Sequence, residues 1–107
     1  MEYGRGVYLS KKLKYEGTVS FDTKLYLKDN RGNEITATFI PVEKIELIKM
    51  HVNRLEIRVF PSIVSSFTAY IIMGRKPMKR LADDIANRVN LKKRFLFNEW
   101  RGIPYIR

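Results

Sequence analysis

The residues of this chain best suited to chemistry are basic side chains interspersed with aromatic rings, and they are concentrated in its last third. Residues 75–107 contain ten Lys or Arg and three acidic residues, a net charge of +7, whereas residues 1–74 contain eleven basic and eight acidic residues, a net charge of +3. Basic groups bind phosphates, and aromatic rings stack on bases. The uneven charge therefore indicates a polyanionic partner, and we expect it to be nucleic acid.

The first candidate group lies in the N-terminal half. Tyr26 stands between Lys24 and Lys28 in a strand-like segment, and Lys12 and Lys14 precede it in another. A flat ring between two ammonium groups suits a single nucleic-acid strand, whose bases stack and whose phosphates bind lysine. The alternative is a solvated face on which the tyrosine covers apolar core atoms.

Two further groups lie in the basic C-terminal segment. The first surrounds the start of a predicted helix, where the helix dipole and free N–H groups would reinforce basic side chains in binding an anion. The second follows the helix and includes aromatic residues that would either stack on bases or pack into the core. The candidate binding residues of the first are Arg75, Lys76, Lys79, Arg80 and Arg88, and those of the second are Lys92, Lys93, Arg94, Trp100 and Arg101, accompanied by Phe95 and Phe97.

Catalytic and metal-binding patterns are weak in this sequence. The chain has no cysteine, and His51 is its only histidine, so neither a thiolate nucleophile nor a pair of histidines is available. Asp83 and Asp84 are adjacent, and side chains about 100° apart on a helix are poorly placed to share one metal ion. We therefore expect a protein that is not an enzyme and uses no metal or cofactor.

Apolar residues that alternate with polar ones predict several β-strands. Leu13–Phe21 alternates with an interruption at Gly17, which would mark a bulge or a sharp coil. Lys24–Ile40 is predicted to be a hairpin around the turn Asp29–Asn33, with Tyr26 pointing outward. The expected inward residues of this hairpin are Leu25, Leu27, Ile35, Ala37 and Phe39.

The remaining N-terminal segments differ in how clearly they define an element. Residues 1–10 suggest an irregular arm or a short edge strand. Pro41–Val52 fits either a helix or a strand, and the neighbouring strands favour the latter. Arg54–Phe60 alternates clearly and should end at Pro61, and Phe67–Met73 is apolar on both faces, which predicts a central strand.

A helix is predicted from Pro77 to Asn90 because apolar residues recur with a period of 3.6. Its apolar stripe consists of Met78, Leu81, Ala82, Ile85, Ala86 and Val89. Leu91–Trp100 fits either a second helix or a strand, and a helix-turn-helix over Met78–Trp100 is a minor alternative. Gly102 and Pro104 favour an extended conformation for residues 101–107.

Together these features predict a single α+β domain over residues 1–107. We expect an antiparallel, curled or barrel-like sheet of five to six strands, followed by a C-terminal amphipathic helix. The longest apolar stretch, Ser62–Met73, is far shorter than the roughly 20 residues that cross a bilayer. Without a signal-peptide pattern at the N-terminus, a cytoplasmic protein with no membrane partner is expected. High charge and the absence of glutamine suggest a thermophilic, archaeal or viral, origin.

The predicted function is non-enzymatic binding of DNA or RNA, mainly through backbone phosphates and stacking, with weak sequence preference. The alternative is a protein-interaction module, such as an inhibitor or a viral or assembly subunit, whose basic face meets an acidic protein partner. The sequence leaves the oligomeric state open, and a dimer is compatible with it.

Overall fold

Nine strands and one α-helix make up the part of the chain that the computed structural model describes, residues 1–62, 65–94 and 98–102. The helix, α1, spans Arg75–Val89, and a 3₁₀ turn spans Val42–Lys44. The predicted α+β class is confirmed. The strands are β1 (Glu2–Ser10), β2 (Leu13–Phe21), β3 (Leu25–Lys28), β4 (Glu34–Ile40), β5 (Ile45–Met50), β6 (Arg54–Ser62), β7 (Ser65–Met73), β8 (Lys92–Arg94) and β9 (Glu99–Arg101).

The strands form one sheet in the order β4-β3-β2-β1-β7-β6-β5-β9-β8. All of its pairings are antiparallel. In the described residues the sheet is open, because β4 and β8 are its two ends and do not pair with each other. The predicted count of five to six strands is too low, and a barrel-like shape is not confirmed. One additional strand is formed by the first ten residues. The others are two segments after the helix, and each of these is too short to display a hydrophobic period.

The first strand lies inside the sheet, so the expectation of an irregular arm or edge strand is wrong. β1 pairs with β2 on one side and with β7 on the other. A side chain at Gly6 would collide with Val19, whose Cγ2 atom would lie 2.6 Å from the new Cβ. The register of β1 shifts between Glu2 and Arg5, around Gly4 with its φ of 90°. The bulge therefore lies on β1, and not at Gly17 of its partner strand β2, where the sequence predicts it.

The predicted hairpin over Lys24–Ile40 is confirmed as β3 and β4, but two of its five predicted inward residues, Ala37 and Phe39, do not lie in the core. The register shifts between Leu25 and Leu27, which pair with Ile40 and Ile35 respectively. Between these two pairs β4 has more residues than β3, and Thr38 lies in the resulting bulge. Thr38 is fully buried, and its hydroxyl accepts a hydrogen bond from the Leu27 amide at 2.8 Å and donates one to the Ile35 carbonyl at 2.7 Å. Beyond this bulge the alternation reverses, which leaves Ala37 exposed and Thr38 buried.

Helix α1 confirms the prediction for its segment. Gly74 precedes its first turn, and Asn90 ends it in the left-handed conformation with φ 56°. All six residues of the predicted apolar stripe are buried, and they pack against β1, β5, β6 and the 3₁₀ turn. Burial of this stripe holds the helix to one face of the sheet.

The helix divides the sheet into two faces, which we call the helix side and the outer face. Strand alternation places Leu55, Ile57, Ile71 and Trp100 in the core on the helix side. The intervening residues of these strands lie on the outer face, which α1 does not cover.

The segments whose sequences fit either a helix or a strand are mainly strands. Pro41–Val52 contains the 3₁₀ turn and β5, as favoured, and β8 and β9 lie within 91–102. The helix-turn-helix alternative is wrong, because a strand follows α1 directly. β6 continues through Pro61 to Ser62 by means of a register shift after Val59. Phe95, Phe97 and residues 103–107, including the extended segment predicted there, lie outside the described residues.

Candidate nucleic-acid interface

The solvent face of α1 carries five of the predicted binding residues, and all five are exposed. They project from this face because the apolar stripe occupies the opposite one. Arg75 at the start of the helix also donates a hydrogen bond from Nη1 to the backbone carbonyl of His51 at 2.9 Å, which ties the helix start to the β5–β6 turn. The exposed residues are Arg75, Lys76, Lys79, Arg80 and Arg88.

Strand β8 supplies three more exposed cations, Lys92, Lys93 and Arg94. It lies at the end of the sheet and pairs with β9, where Lys93 stands opposite Trp100. A basic edge strand discourages pairing with the edge of another sheet, which is one structural role for these residues. Their exposure also leaves them accessible to a polyanion.

Trp100 connects the helix group to the β8 group. The Lys79 ammonium lies 5.4 Å and the Lys93 ammonium 5.3 Å from the centroid of its ring. The indole is only 3% exposed, because it lies opposite Ile48 on the helix side of the sheet. The predicted stacking of bases on Trp100 is therefore wrong. Both lysines instead lie within cation–π distance of this one ring.

The three carboxylates of residues 75–102 all have partners within the protein. Asp83 pairs with Lys79 at 2.7 Å, and Asp84 accepts a hydrogen bond from the Tyr3 hydroxyl at 2.6 Å. Asp84 is half-buried and Glu99 is 6% exposed, whereas the Asp83 side chain is nearly as exposed as that of Lys79. The basic residues of this segment thus face solvent, while two of its three acidic residues lie closer to the protein body.

Glu99 is held between two cations on the outer face. It accepts a hydrogen bond from Arg101 Nε at 2.9 Å and lies 3.8 Å from Lys49 Nζ. The hydrogen bond from Arg101 lowers the pKa of Glu99, and the same bond raises the pKa of Arg101. Arg101 is exposed as predicted, but its charge is partly compensated by this carboxylate.

The N-terminal group does not form the predicted stacking surface. Tyr26 is 4% exposed rather than outward in solvent, and its hydroxyl donates a hydrogen bond to Asp22 at 3.0 Å. Burial and this bond raise the pKa of Tyr26 to about 12. Phe39 of β4 packs edge-on against the ring at 5.6 Å, and Lys24 lies 4.9 Å from its centroid. Both faces of β3 thus contact other parts of the protein, and these contacts exclude Tyr26 from base stacking. The alternation of apolar and polar residues does not reveal such contacts.

The lysines around Tyr26 have acidic partners. Lys24 lies 3.5 Å from Glu34, and Lys28 lies 3.2 Å from Glu2. Lys12 and Lys14 are exposed, at and just after the turn between β1 and β2. However, β3 is six strand-to-strand steps from β9, about 29 Å along the sheet. The predicted groups therefore belong to two separate regions, and only the C-terminal region combines high exposure with a large surplus of cations.

Alternative sites for chemistry are limited in the described residues. His51 Nε2 lies 2.9 Å from Glu56 Oε1, and both side chains are partly covered. The described part of the chain contains no group of three or more His, Cys, Asp or Glu residues arranged to hold a metal ion. Over the same residues, no helix has the length and apolar character needed to span a membrane.

We compared the chain with protein-family models, with curated proteins and with solved structures, and none of the three comparisons gave a match.

Sequence reasoning missed candidate residues on the outer face of the central strands. Arg54, Arg58 and Tyr70 project from β6 and β7 on the side opposite the core residues Leu55 and Ile71. The alternation of Arg54–Phe60 indicated that one face of this strand is charged. It did not indicate which strands lie beside it, so these residues could not be joined to the C-terminal group.

Proposed function

We propose that this protein binds nucleic acid without catalysis, mainly through the backbone phosphates. The proposed surface, here the α1–β8 surface, consists of the exposed basic residues of α1 and of β8. The observation that carries the proposal is the surplus of exposed positive charge in residues 75–102. Nine Lys and Arg side chains there are exposed, against three carboxylates that each have a partner within the protein.

Two features make phosphate a suitable ligand for this surface. Lys79 of the helix, which also pairs with Asp83, and Lys93 of the edge strand both lie beside one indole ring, so a phosphate chain at this ring would meet cations from both elements. The remaining cations extend along the helix and the edge strand rather than around a closed pocket. An extended array of this kind suits a polymer of phosphates better than a small anion, and it predicts weak sequence preference.

The test is binding of labelled single-stranded and double-stranded oligonucleotides over a range of salt concentrations. If about five cations contact phosphates, a plot of log Kobs against log salt should have a slope of about −3.5 for a single strand and about −4.5 for a duplex. Absence of binding at low salt, or a slope near zero, would contradict the proposal.

A second comparison separates nucleic acid from polyanions in general. The protein should be retained more strongly on a nucleic-acid column than on heparin at the same moderate salt concentration. Equal or stronger retention on heparin would instead favour the acidic protein partner. In that case the same basic surface would supply the electrostatic complementarity of a protein interface.

A further inference from the structure

The outer face of the sheet has a half-buried tyrosine at its centre. Tyr70 lies on β7, which pairs with β1 and β6 in the middle of the strand order. The Arg54 guanidinium carbon is 4.7 Å from the centroid of the Tyr70 ring. Nucleic-acid bases stack both on aromatic rings and on guanidinium planes. Unlike Tyr26 and Trp100, this ring retains partial exposure.

A shallow depression adjoins Tyr70 on the same face. Its volume is about 260 Å³, and it is lined by Arg5, Gly6, Val7, Glu16 and Ile72. Ile72 is two residues from Tyr70 along β7 and therefore lies on the same side of the strand. The ring of Tyr70 thus lies beside a depression at the centre of the sheet in which the apolar side chains of Val7 and Ile72 are bordered by the charged residues Arg5 and Glu16.

The outer face between Tyr70 and the end of the sheet is basic. Over β6, β5, β9 and β8, strand register places six cations and the glutamates Glu56 and Glu99 on it. A third glutamate, Glu46 at the β5 bulge, interacts electrostatically with Arg101, so three positive charges remain in excess. This charge is complementary to a phosphate backbone rather than to a basic or neutral partner.

Strand β8 joins this face to the α1–β8 surface. Lys93 lies on the helix side with Trp100, whereas alternation places Lys92 and Arg94 on the outer face. From β8 to Tyr70 on β7 there are four strand-to-strand steps, about 19 Å. A strand of a few nucleotides is long enough to cover this distance.

We infer that a single nucleic-acid strand passes from the α1–β8 surface round the β8 edge onto the outer face, where a base stacks on Tyr70 and Arg54. The inference rests on the proposed function and specifies it further, because it requires unpaired bases. Phosphates between the two places would meet cations on both faces of β8 and on β9.

The experiment compares Tyr70→Leu with wild type on two strands of equal charge and length, about 12 nucleotides. One strand is oligothymidylate, and the other has the same backbone with abasic positions. Leucine keeps apolar cover on the sheet but removes the ring. Tyr70→Leu should weaken binding of oligothymidylate about 5- to 150-fold and leave binding of the abasic strand unchanged. Tyr70→Phe should retain wild-type binding of both.

Tyr15→Leu is the matched control, because Tyr15 is also half-buried but packs against the core. It should not change the ratio of affinities for the two strands. Equal losses on both strands for Tyr70→Leu, or no loss on either, would overturn the stacking inference while leaving phosphate binding intact. If wild type bound neither strand, the proposed function itself would fail, and the stacking inference with it.

A second measurement needs no variant and covers the case in which Tyr70→Leu does not fold. Oligothymidylate carrying iodouracil is irradiated with the wild-type protein, and the adducts are mapped by mass spectrometry. An adduct on Tyr70 is expected. Adducts restricted to the helix side of the sheet would overturn the inference.

Discussion

The hydroxyl of Tyr3 donates a hydrogen bond of 2.6 Å to Asp84, 81 residues further along the chain. Tyr3 is buried on the helix side of β1, and Asp84 is half-buried on α1. Burial and the hydrogen bond raise the pKa of Tyr3, so the phenol remains a donor at neutral pH. The bond fixes the position of the helix, which carries much of the proposed binding surface, relative to the sheet.

Replacement of the Tyr3 hydroxyl should destabilise the protein. Tyr3→Phe leaves the half-buried Asp84 carboxylate without this donor, so the free energy of unfolding should fall by about 1.5–3 kcal/mol, as expected for a hydrogen bond to a charged group. Urea denaturation followed by circular dichroism measures this change. Asp83→Asn is the control, because the exposed pair with Lys79 should contribute only about 0–1 kcal/mol. Equal losses in the two variants would show that the Tyr3–Asp84 bond has no special weight.

Ile85 tests whether the helix is a core element. Its side chain is fully buried in the apolar stripe. Ile85→Ala should lower the free energy of unfolding by about 2–5 kcal/mol, through lost burial and the cavity that remains. Asn87→Ala, at an exposed position on the same helix, should change it by less than about 0.5 kcal/mol. A melting temperature for Ile85→Ala within a degree or two of wild type would contradict a core role.

The local part of the fold could be predicted from the sequence, and the helix illustrates why. Six apolar residues at a period of 3.6 identify a buried stripe whatever the helix packs against, and all six are buried. The β3–β4 hairpin was also predictable, because its turn residues lie between two alternating segments. In both cases the sequence pattern lies within the same short segment as the element that it predicts.

The long-range part of the fold could not be predicted in this way. β1 contains Gly4 and Gly6, which weaken a strand signal locally, yet it pairs centrally with β7, more than 60 residues away. Alternation distinguishes the two faces of a strand but does not identify what covers each face. Alternation alone therefore predicts an exposed Tyr26, although Phe39 and Lys24 cover its ring.

The candidate site shows the same division. The charges of the C-terminal segment are evident from composition alone. Their arrangement is not, because Lys79 and Lys93 come to lie near one ring only through the pairing of β9 with β5 that positions Trp100. The basic outer face likewise depends on the strand order, which no local pattern specifies.

Glu99 provides a prediction about pH. Its pKa lies below the ordinary value of 4.5, so its contribution to stability should be complete above about pH 4.5 and should disappear as the pH falls through its lowered pKa. Near pH 7, Glu99→Gln should reduce the free energy of unfolding by about 1.5–3 kcal/mol. Urea unfolding at a series of pH values should show the difference from wild type shrinking in acid. A difference that stays constant down to about pH 2 would contradict this assignment.

The two lysines beside Trp100 allow the proposed surface to be distinguished from net charge. Lys79→Ala/Lys93→Ala removes two positive charges at one place, so the salt slope for a single strand should become shallower by about 1.4 if both lysines contact phosphates. The matched control is Lys12→Ala/Lys14→Ala, which removes the same charge from exposed positions near the turn between β1 and β2. The control should change the slope much less.

Trp100 supplies an independent signal for the same pair of variants, because it is the only tryptophan in the chain. A phosphate bound to Lys79 or to Lys93 would draw the ammonium group away from the indole, so the intrinsic fluorescence should change when a single strand binds. The change should persist in Lys12→Ala/Lys14→Ala and disappear in Lys79→Ala/Lys93→Ala, even at strand concentrations high enough to restore binding. Equal loss of affinity in both double variants, with the fluorescence change retained in both, would mean that overall charge attracts the nucleic acid and that the surface around Trp100 does not contact it.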